Sequence, residues 1–420
     1  MNFVLVPLFS FLFLFFYLFS CSFQLNSSVF SNFFMYDELS LFIIFITCFV
    51  IFISFIFCMR LVSFELSLVL LFILFVCCLV FTTNNMFLFY LYYEASLIPI
   101  LYIILKWGSY PERSIRSIML LVYTSVFTFP FVYILFSIYN FNNSLIFSLA
   151  SIYNFNNSLI FSLIIFFTFA VKLPIYGLHF WLPIAHVEAP TFGSMILAGI
   201  LLKLGGVGLI RFSFLLNTYE LKQSVLSYFF VFLVYVTLVC CFQSDFKRLV
   251  AYSSVSHIIT IPIMLFSSTY FSFKGIISVM FLHGISSPLM FILVGVVYLF
   301  MSTRQHVLIR GILCFRPLLS FLIVLSFFFT LSAPPFPSFV AEVLFSLSSV
   351  FLWVPRLLFI LFFLFLSLVY NLLWLTSSLF LNQDSSVNYS FLFRYSYFLP
   401  IFLSLFVLPV QFSVLFFFIF

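Results

Sequence analysis

Apolar residues fill this chain in long unbroken runs of about 20, separated by short polar joints. Wound as helices, runs of that length cross the hydrocarbon core of a bilayer. Barrel strands would alternate apolar with polar, and these runs do not. The pattern predicts thirteen spans, roughly 3–20, 39–59, 64–81, 86–105, 116–136, 159–181, 190–211, 224–243, 249–266, 273–300, 318–350, 354–380 and 391–418. The first run, MNFVLVPLFSFLFLFFYLFS, has neither a basic leading segment nor a small-residue cleavage site, so it reads as a retained helix. The expected fold is all-α and polytopic, a single transmembrane domain over residues 1–420.

Two spans carry interruptions. The sixth is broken at Pro174 in VKLPIYG, and the eleventh at Pro334, Pro335 and Pro337 in SAPPFPSF. Proline removes an amide donor and clashes with the carbonyl four residues back. The freed carbonyls then need water, a side chain or an ion. Broken helices in corresponding parts of two halves point to inverted repeats and to a transport site at the break.

Composition makes the solvent unambiguous. The chain is 65% hydrophobic and 6% charged, with a mean hydropathy of +1.34; a soluble domain cannot hide that much apolar surface. Phe supplies 73 of the 420 residues. That excess fits a T-rich genome and, with the short loops, a gene carried in an organelle. None of the eight cysteines forms a C-x-x-C pair, which argues against a disulfide framework or an iron–sulfur site. The net charge of +6 is spread over short loops and makes no nucleic-acid patch. Ten basic residues fall after even-numbered spans and four after odd-numbered ones, which places the even side, and the N-terminus, inside. The segment SIYNFNNSLIFSL occurs at 137–149 and again at 151–163. It reads as a tandem duplication that lengthens an outer loop and the following helix start.

Against this background the buried charges stand out. Lys172 lies in FFTFAVKLPIYG, Lys203 in ILLKLGGVGL, Glu94 in FYLYYEASLIPI and Glu342 on the second broken span. A lysine at mid-membrane depth costs roughly 2.5–3.5 kcal/mol on insertion scales. Charges of both signs at that depth most often mark an ion path. Glu94 lies about 12 Å into its helix, and Lys172 is its natural partner. The alternative for such a pair is a static lock between helices. Lys203 is surrounded by Gly199, Gly205, Gly206 and Gly208, which admit a close neighbour or water. His257 and His283 each have serines beside them, a setting for a hydrated proton wire. His179, His186 and Glu188, and likewise Asp245 and Lys247, read as capping and interfacial pairing groups.

The stretch KLPIYGLHFWLPIAHVEAPTFGSMILAGILLKLGGVGLIR resembles the antiporter-like membrane subunits of proton-pumping NADH:ubiquinone oxidoreductase, respiratory complex I. YYEASLIPI followed by KWGSYPER, and QSDFKRLVAYSSVSHI followed by FLHGISSPLMF, match in the same order. The resemblance covers about residues 84–345. The helices of 1–83 and 346–420 share only its hydropathy. It implies a proton-transfer axis of Glu94, Lys172, Lys203, His257, His283 and Glu342. The last position is a glutamate in one branch of the family and a lysine in its sisters. It further implies that NADH, FMN, iron–sulfur clusters and ubiquinone belong to partner subunits, and no glycine-rich dinucleotide loop follows a strand here. The partners implied are other membrane-arm subunits, especially the neighbouring antiporter-like ones, in the mitochondrial inner membrane.

Three features depart from the family pattern. One helix near the N-terminus is missing from the usual fourteen, which turns the N-terminus toward the matrix. Ile184 stands where many relatives have a lysine. The duplicated segment has no counterpart. Two other readings remain open at this stage: a multisubunit cation/proton antiporter without redox coupling, and a membrane scaffold whose ion pairs only fix helix packing.

Overall fold

The computed structural model of the chain describes residues 29–30, 33–58, 63–108, 110–150, 159–175, 177–216, 218–267, 269–305, 309, 312, 317–334, 336–350 and 355–380. The expected spans 3–20 and 391–418 lie outside them, as does Pro335. Each span expected between residues 39 and 380 coincides with helix. The helices are α1 (Glu38–Phe57), α2 (Phe64–Thr82), α3 (Met86–Trp107), α4 (Arg113–Asn142), the single turn α5 (Phe147–Ala150), α6 (Leu159–Ala170) and α7 (Trp181–Glu188). They continue with α8 (Thr191–Arg211), α9 (Thr218–Cys241), α10 (Phe246–Ser267), α11 (Tyr270–Met301), α12 (Pro317–Thr330), α13 (Ser338–Val350) and α14 (Pro355–Phe380). Eight of the described helices are long and apolar enough to cross a membrane.

Polar joints start and stop these helices. Ser63 accepts the Leu66 amide ahead of α2, Asn85 accepts the Phe87 amide ahead of α3, and Thr269 accepts the Ser272 amide ahead of α11. Each satisfies a donor that the first helical turn leaves open. Asn143 and Ser302 end α4 and α11 in the left-handed conformation. Hydroxyls inside the apolar helices turn back onto their own backbone, as Ser54 does onto Ile51 at 2.7 Å and Ser254 onto Ala251 at 2.7 Å. A hydroxyl away from water finds its partner that way.

Two details differ from the sequence reading. A two-residue antiparallel pairing, Val29–Phe30 with Met35–Tyr36, precedes α1, so the described residues are not purely helical. The helix expected to end near residue 136 continues to Asn142. SIYNF remains helical, and the stop comes from Asn143, whose φ of 53° is the left-handed form Asn tolerates. Much of the first copy of the duplicated segment is thus helix, while residues 151–158 of the second lie outside the described residues.

The chain gathers into two compact units, Met1–Trp181 with Glu188–Leu221, and Leu182–Val187 with Lys222–Phe420. In the first unit α8 runs against α1, α2 and α6, and α4 packs on α6. An aromatic knot of Phe89, Phe131, Phe147, Phe169 and Phe212 ties α3, α4, α6 and the end of α8, with ring centroids 4.9–5.7 Å apart for each ring against Phe212. Arg211, at the end of α8, is buried and donates to the Phe81 and Thr83 carbonyls where α2 ends. A cation suits a helix C-terminus. Glu188 is also buried and meets Arg116 at 2.8 Å, while Arg116 also reaches Glu112. Burial raises the Glu188 carboxyl above its ordinary range, and the Arg116 guanidinium opposes that rise.

In the second unit α10, α11 and α13 pack on one another, flanked by α12 and α14. Gly275 marks their close approach: a Cβ there would lie 2.7 Å from Met264 Sδ on α10 and 3.4 Å from Leu344 Cβ on α13. On the outside, α4 and α14 present Phe129, Tyr133, Phe136, Leu361, Phe362 and Phe365. For helices that cross a membrane, such faces meet lipid.

Candidate functional site

The first break forms around Pro174. Helix α6 stops at Ala170, because proline has no N–H for the Ala170 carbonyl. The Ile175 amide reaches back to that carbonyl instead, at 3.4 Å and across five residues. The Val171 carbonyl, which Ile175 would otherwise serve, accepts the Trp181 indole N–H at 2.9 Å.

Lys172 sits in this opened turn and is 1% exposed. Its Nζ donates to the Tyr93 carbonyl at 2.9 Å and lies 3.1 Å from the Tyr93 ring centroid. The same carbonyl accepts the Ser96 hydroxyl at 2.7 Å, and the Tyr93 hydroxyl donates to the Thr168 carbonyl at 3.3 Å. Tyr93 therefore meets α6 through its hydroxyl and Lys172, just past the end of α6, through its ring and carbonyl. Helix α3 turns at Ser96, where Pro99 cannot serve the Ala95 carbonyl. Glu94, next to Tyr93, is half-buried. The ion pair expected between Glu94 and Lys172 is not formed among the described residues. The ammonium is taken up by the backbone oxygen one residue earlier and by an aromatic face, and the carboxylate acts on it only through space.

Lys203 lies on α8 just after a π-helical stretch, Leu197–Leu201. Such wide turns recur at functional sites. Its Nζ donates to the Ala198 carbonyl, five residues back, at 2.6 Å. Gly205 and Gly208 hold α8 against α6. A Cβ at Gly205 would lie 2.9 Å from Leu173 Cγ and 3.2 Å from Lys172 Cβ, and one at Gly208 would run into the Phe169 ring. The small residues seen in the sequence thus bring the backbone of one lysine's helix against the other lysine.

The second break repeats the first in its chemistry. Helix α12 stops at Thr330, the Ala333 amide reaches back five residues to Phe328 at 3.2 Å, and Ser338 from the start of α13 donates to the Phe329 carbonyl at 2.7 Å. Pro334 follows. Ser332 takes the left-handed conformation, with φ 54°, and its hydroxyl donates to Glu342 at 2.6 Å. Glu342, His257 and His283 then line one cavity with about 50 Å³ of space for the centres of water-sized molecules, together with hydroxyl groups including Ser253, Ser287, Thr330 and Ser332. The two imidazole centroids are 6.3 Å apart. A water needs roughly 10–15 Å³ in that measure, so a few waters fit.

Three of the six expected proton-transfer residues thus meet at the cavity of the second unit, and the other three lie in the first. His186 is buried and stacks on Phe291 at 4.8 Å, and His179 is buried beside Phe180. Asp245 pairs with Arg248 at 3.2 Å, as expected of an interfacial group. Lys247 does not behave that way. It is 2% exposed and donates to the Val187 carbonyl at 3.4 Å. Tyr93, Trp181 and Ser332 also escaped the sequence reading.

A family described as NADH:quinone oxidoreductase/Mrp antiporter, TM, matches residues 83–369, more than half of the chain and all six residues above. NADH-ubiquinone oxidoreductase chain 4 of Locusta migratoria is 37% identical over 296 residues, 70% of this chain and 66% of the relative. The chain 4 protein of Petromyzon marinus is 35% identical over 66% of this chain and 62% of the relative. The matched stretches fall just short of two thirds of those relatives' length. Among solved structures, respiratory complex I from Thermus thermophilus with bound NADH contains a chain of the same fold, with a TM-score of 0.88 at 22% identity, over 97% of this chain and 90% of that one. The membrane-bound sulfane sulfur reductase, an archaeal respiratory membrane complex, gives 0.87 at 16% identity, over 99% and 89%. From its matched sequence and its interrupted helices together, the chain belongs to the NADH:quinone oxidoreductase/Mrp antiporter transmembrane family.

Proposed function

We propose that this chain is a proton-translocating subunit of the membrane arm of NADH:ubiquinone oxidoreductase, of the chain 4 type. The observation that carries the reading is the cavity in which Glu342, His257 and His283 converge among hydroxyls, inside an otherwise apolar helix bundle. Proton donors and acceptors so placed can pass a proton through waters that the hydroxyls hold. Glu342 takes or gives a proton at its carboxyl, with Ser332 orienting it. The imidazoles accept on one nitrogen and donate from the other. In the first unit, Lys172 and Lys203 move protons at their amines. The opened turns at Pro174 and at Leu197–Leu201 lie beside them, and the carbonyls freed there are further acceptors for those amines.

Electron transfer, with NADH, FMN, iron–sulfur clusters and ubiquinone, belongs in this proposal to partner subunits of the same complex. The chain would sit in the mitochondrial inner membrane with its N-terminus toward the matrix. The sequence similarity to chain 4 proteins favours this reading over a cation/proton antiporter without redox coupling. The scaffold reading leaves the cavity without a purpose. Capture of the chain from detergent-solubilised mitochondria tests the assignment. NADH:quinone reductase activity should travel with it, and a captured complex free of that activity would turn the assignment toward the antiporter.

A further inference from the structure

Lys247 stands at the start of α10 beside the pair of half-buried Asp245 and exposed Arg248, yet it is buried. Its ammonium reaches the Val187 carbonyl and feels the like charge of Arg304. The Phe246 amide is tied to the Arg304 carbonyl at 3.0 Å, so the start of α10 is pinned where it leaves the polar joint. Along α10, residues 247, 250, 254 and 257 share one helical face, by their spacing of three and four. Val250, Ser254 and His257 on that face line the cavity that holds His283 and Glu342. Lys247 is therefore the titratable group at the polar end of the stripe that leads into the cavity, about 15 Å along the helix from His257.

We propose that Lys247 is a proton-transfer residue that loads this cavity from the charged end of α10. In the step it performs, its ammonium passes a proton through a water on the Ser254–His257 stripe to the neutral His257 imidazole, which becomes the imidazolium. The resulting amine then takes a proton from the aqueous side, so one positive charge has moved into the cavity. The inference rests on the proton-translocating reading above. A capping lysine, held only to close the end of α7 at Val187, would need its charge but never its proton release.

Arginine separates the two roles, because it keeps the positive charge and the donor but does not deprotonate in proteins. The experiment measures protons moved per electron, and assembled complex, in membrane vesicles carrying Lys247→Arg, Lys247→Met or Lys203→Ala. Each proton ratio is taken per assembled complex, so that a fall in assembly cannot hide the answer. Loss of a proton-transfer group costs roughly 10²–10⁴ in rate. Lys247→Arg and Lys247→Met should therefore both remove this subunit's share of the protons moved per electron, the neighbouring antiporter-like subunits supplying the rest. A normal ratio in Lys247→Arg, whatever the content of complex, overturns the proposal and leaves the cap. If Lys203→Ala also pumps normally, the translocation reading itself has failed. If only Lys203→Ala is impaired, Lys247 alone is excluded.

Discussion

A buried ammonium needs acceptors for its hydrogen bonds, and at Lys172 these come from Tyr93. A desolvated cation over an aromatic face gains about 2 kcal/mol, and a hydrogen bond to a charged group roughly 1.5–3 kcal/mol. These are of the same order as the roughly 2.5–3.5 kcal/mol that a mid-membrane lysine costs. The ammonium is thus held, but not deeply, and can exchange one acceptor for another. Since its direct contacts go to Tyr93, Glu94→Gln should leave the packing of α3 on α6 intact. Subunit content should stay normal while proton pumping falls several-fold; the two are to be measured in the same membranes. Loss of the complex with normal pumping per remaining complex would show the glutamate to be a structural lock. Lys172, Lys203 and Glu342 were legible in the sequence because a charge in a long apolar run has no cheap explanation. Lys247 was not, because a lysine between Asp245 and Arg248 reads as a surface group. Its burial comes from the Val187 carbonyl of a helix some 60 residues away in sequence.

At the level of the elements, both broken spans obey one rule. An amide beside the proline closes a turn across five residues, Ile175 after Pro174 and Ala333 before Pro334, and a side chain from the far half of the span covers a nearby carbonyl. Trp181 does this at the first break and Ser338 at the second. The breaks themselves were visible in VKLPIYG and SAPPFPSF. Their caps were not, since neither Trp nor Ser announces a partner nine or ten residues back. The π-helical turn before Lys203 was equally silent, since LAGIL is ordinary helix sequence. The close packing of α8 on α6 was foreshadowed by its glycines, and the contact makes a sharp prediction. Gly208→Val places branched carbons in the Phe169 ring, which the aromatic knot around Phe212 prevents from stepping aside. Overpacking costs roughly 1–3 kcal/mol, so the variant should assemble poorly, with lower complex content on native gels. Unchanged content would mean that α6 can yield at Phe169.

For the molecule as a whole, the membrane class followed from hydropathy alone, and the family from long motifs in the matched core. The gathering of His257, His283 and Glu342 at one cavity did not follow, because it depends on how α10, α11 and α13 pack. What joins these scales is the claim that the buried titratable groups move protons rather than merely hold helices together. Lys203 tests it most directly. It is buried on a helix that alanine suits well, and it donates to the Ala198 carbonyl of that same helix. The decisive measurement is the ratio of protons pumped to NADH oxidised in vesicles carrying Lys203→Ala, at equal amounts of assembled complex. The account predicts a normally assembled complex whose ratio falls sharply; a ratio equal to that of the unaltered complex would contradict it.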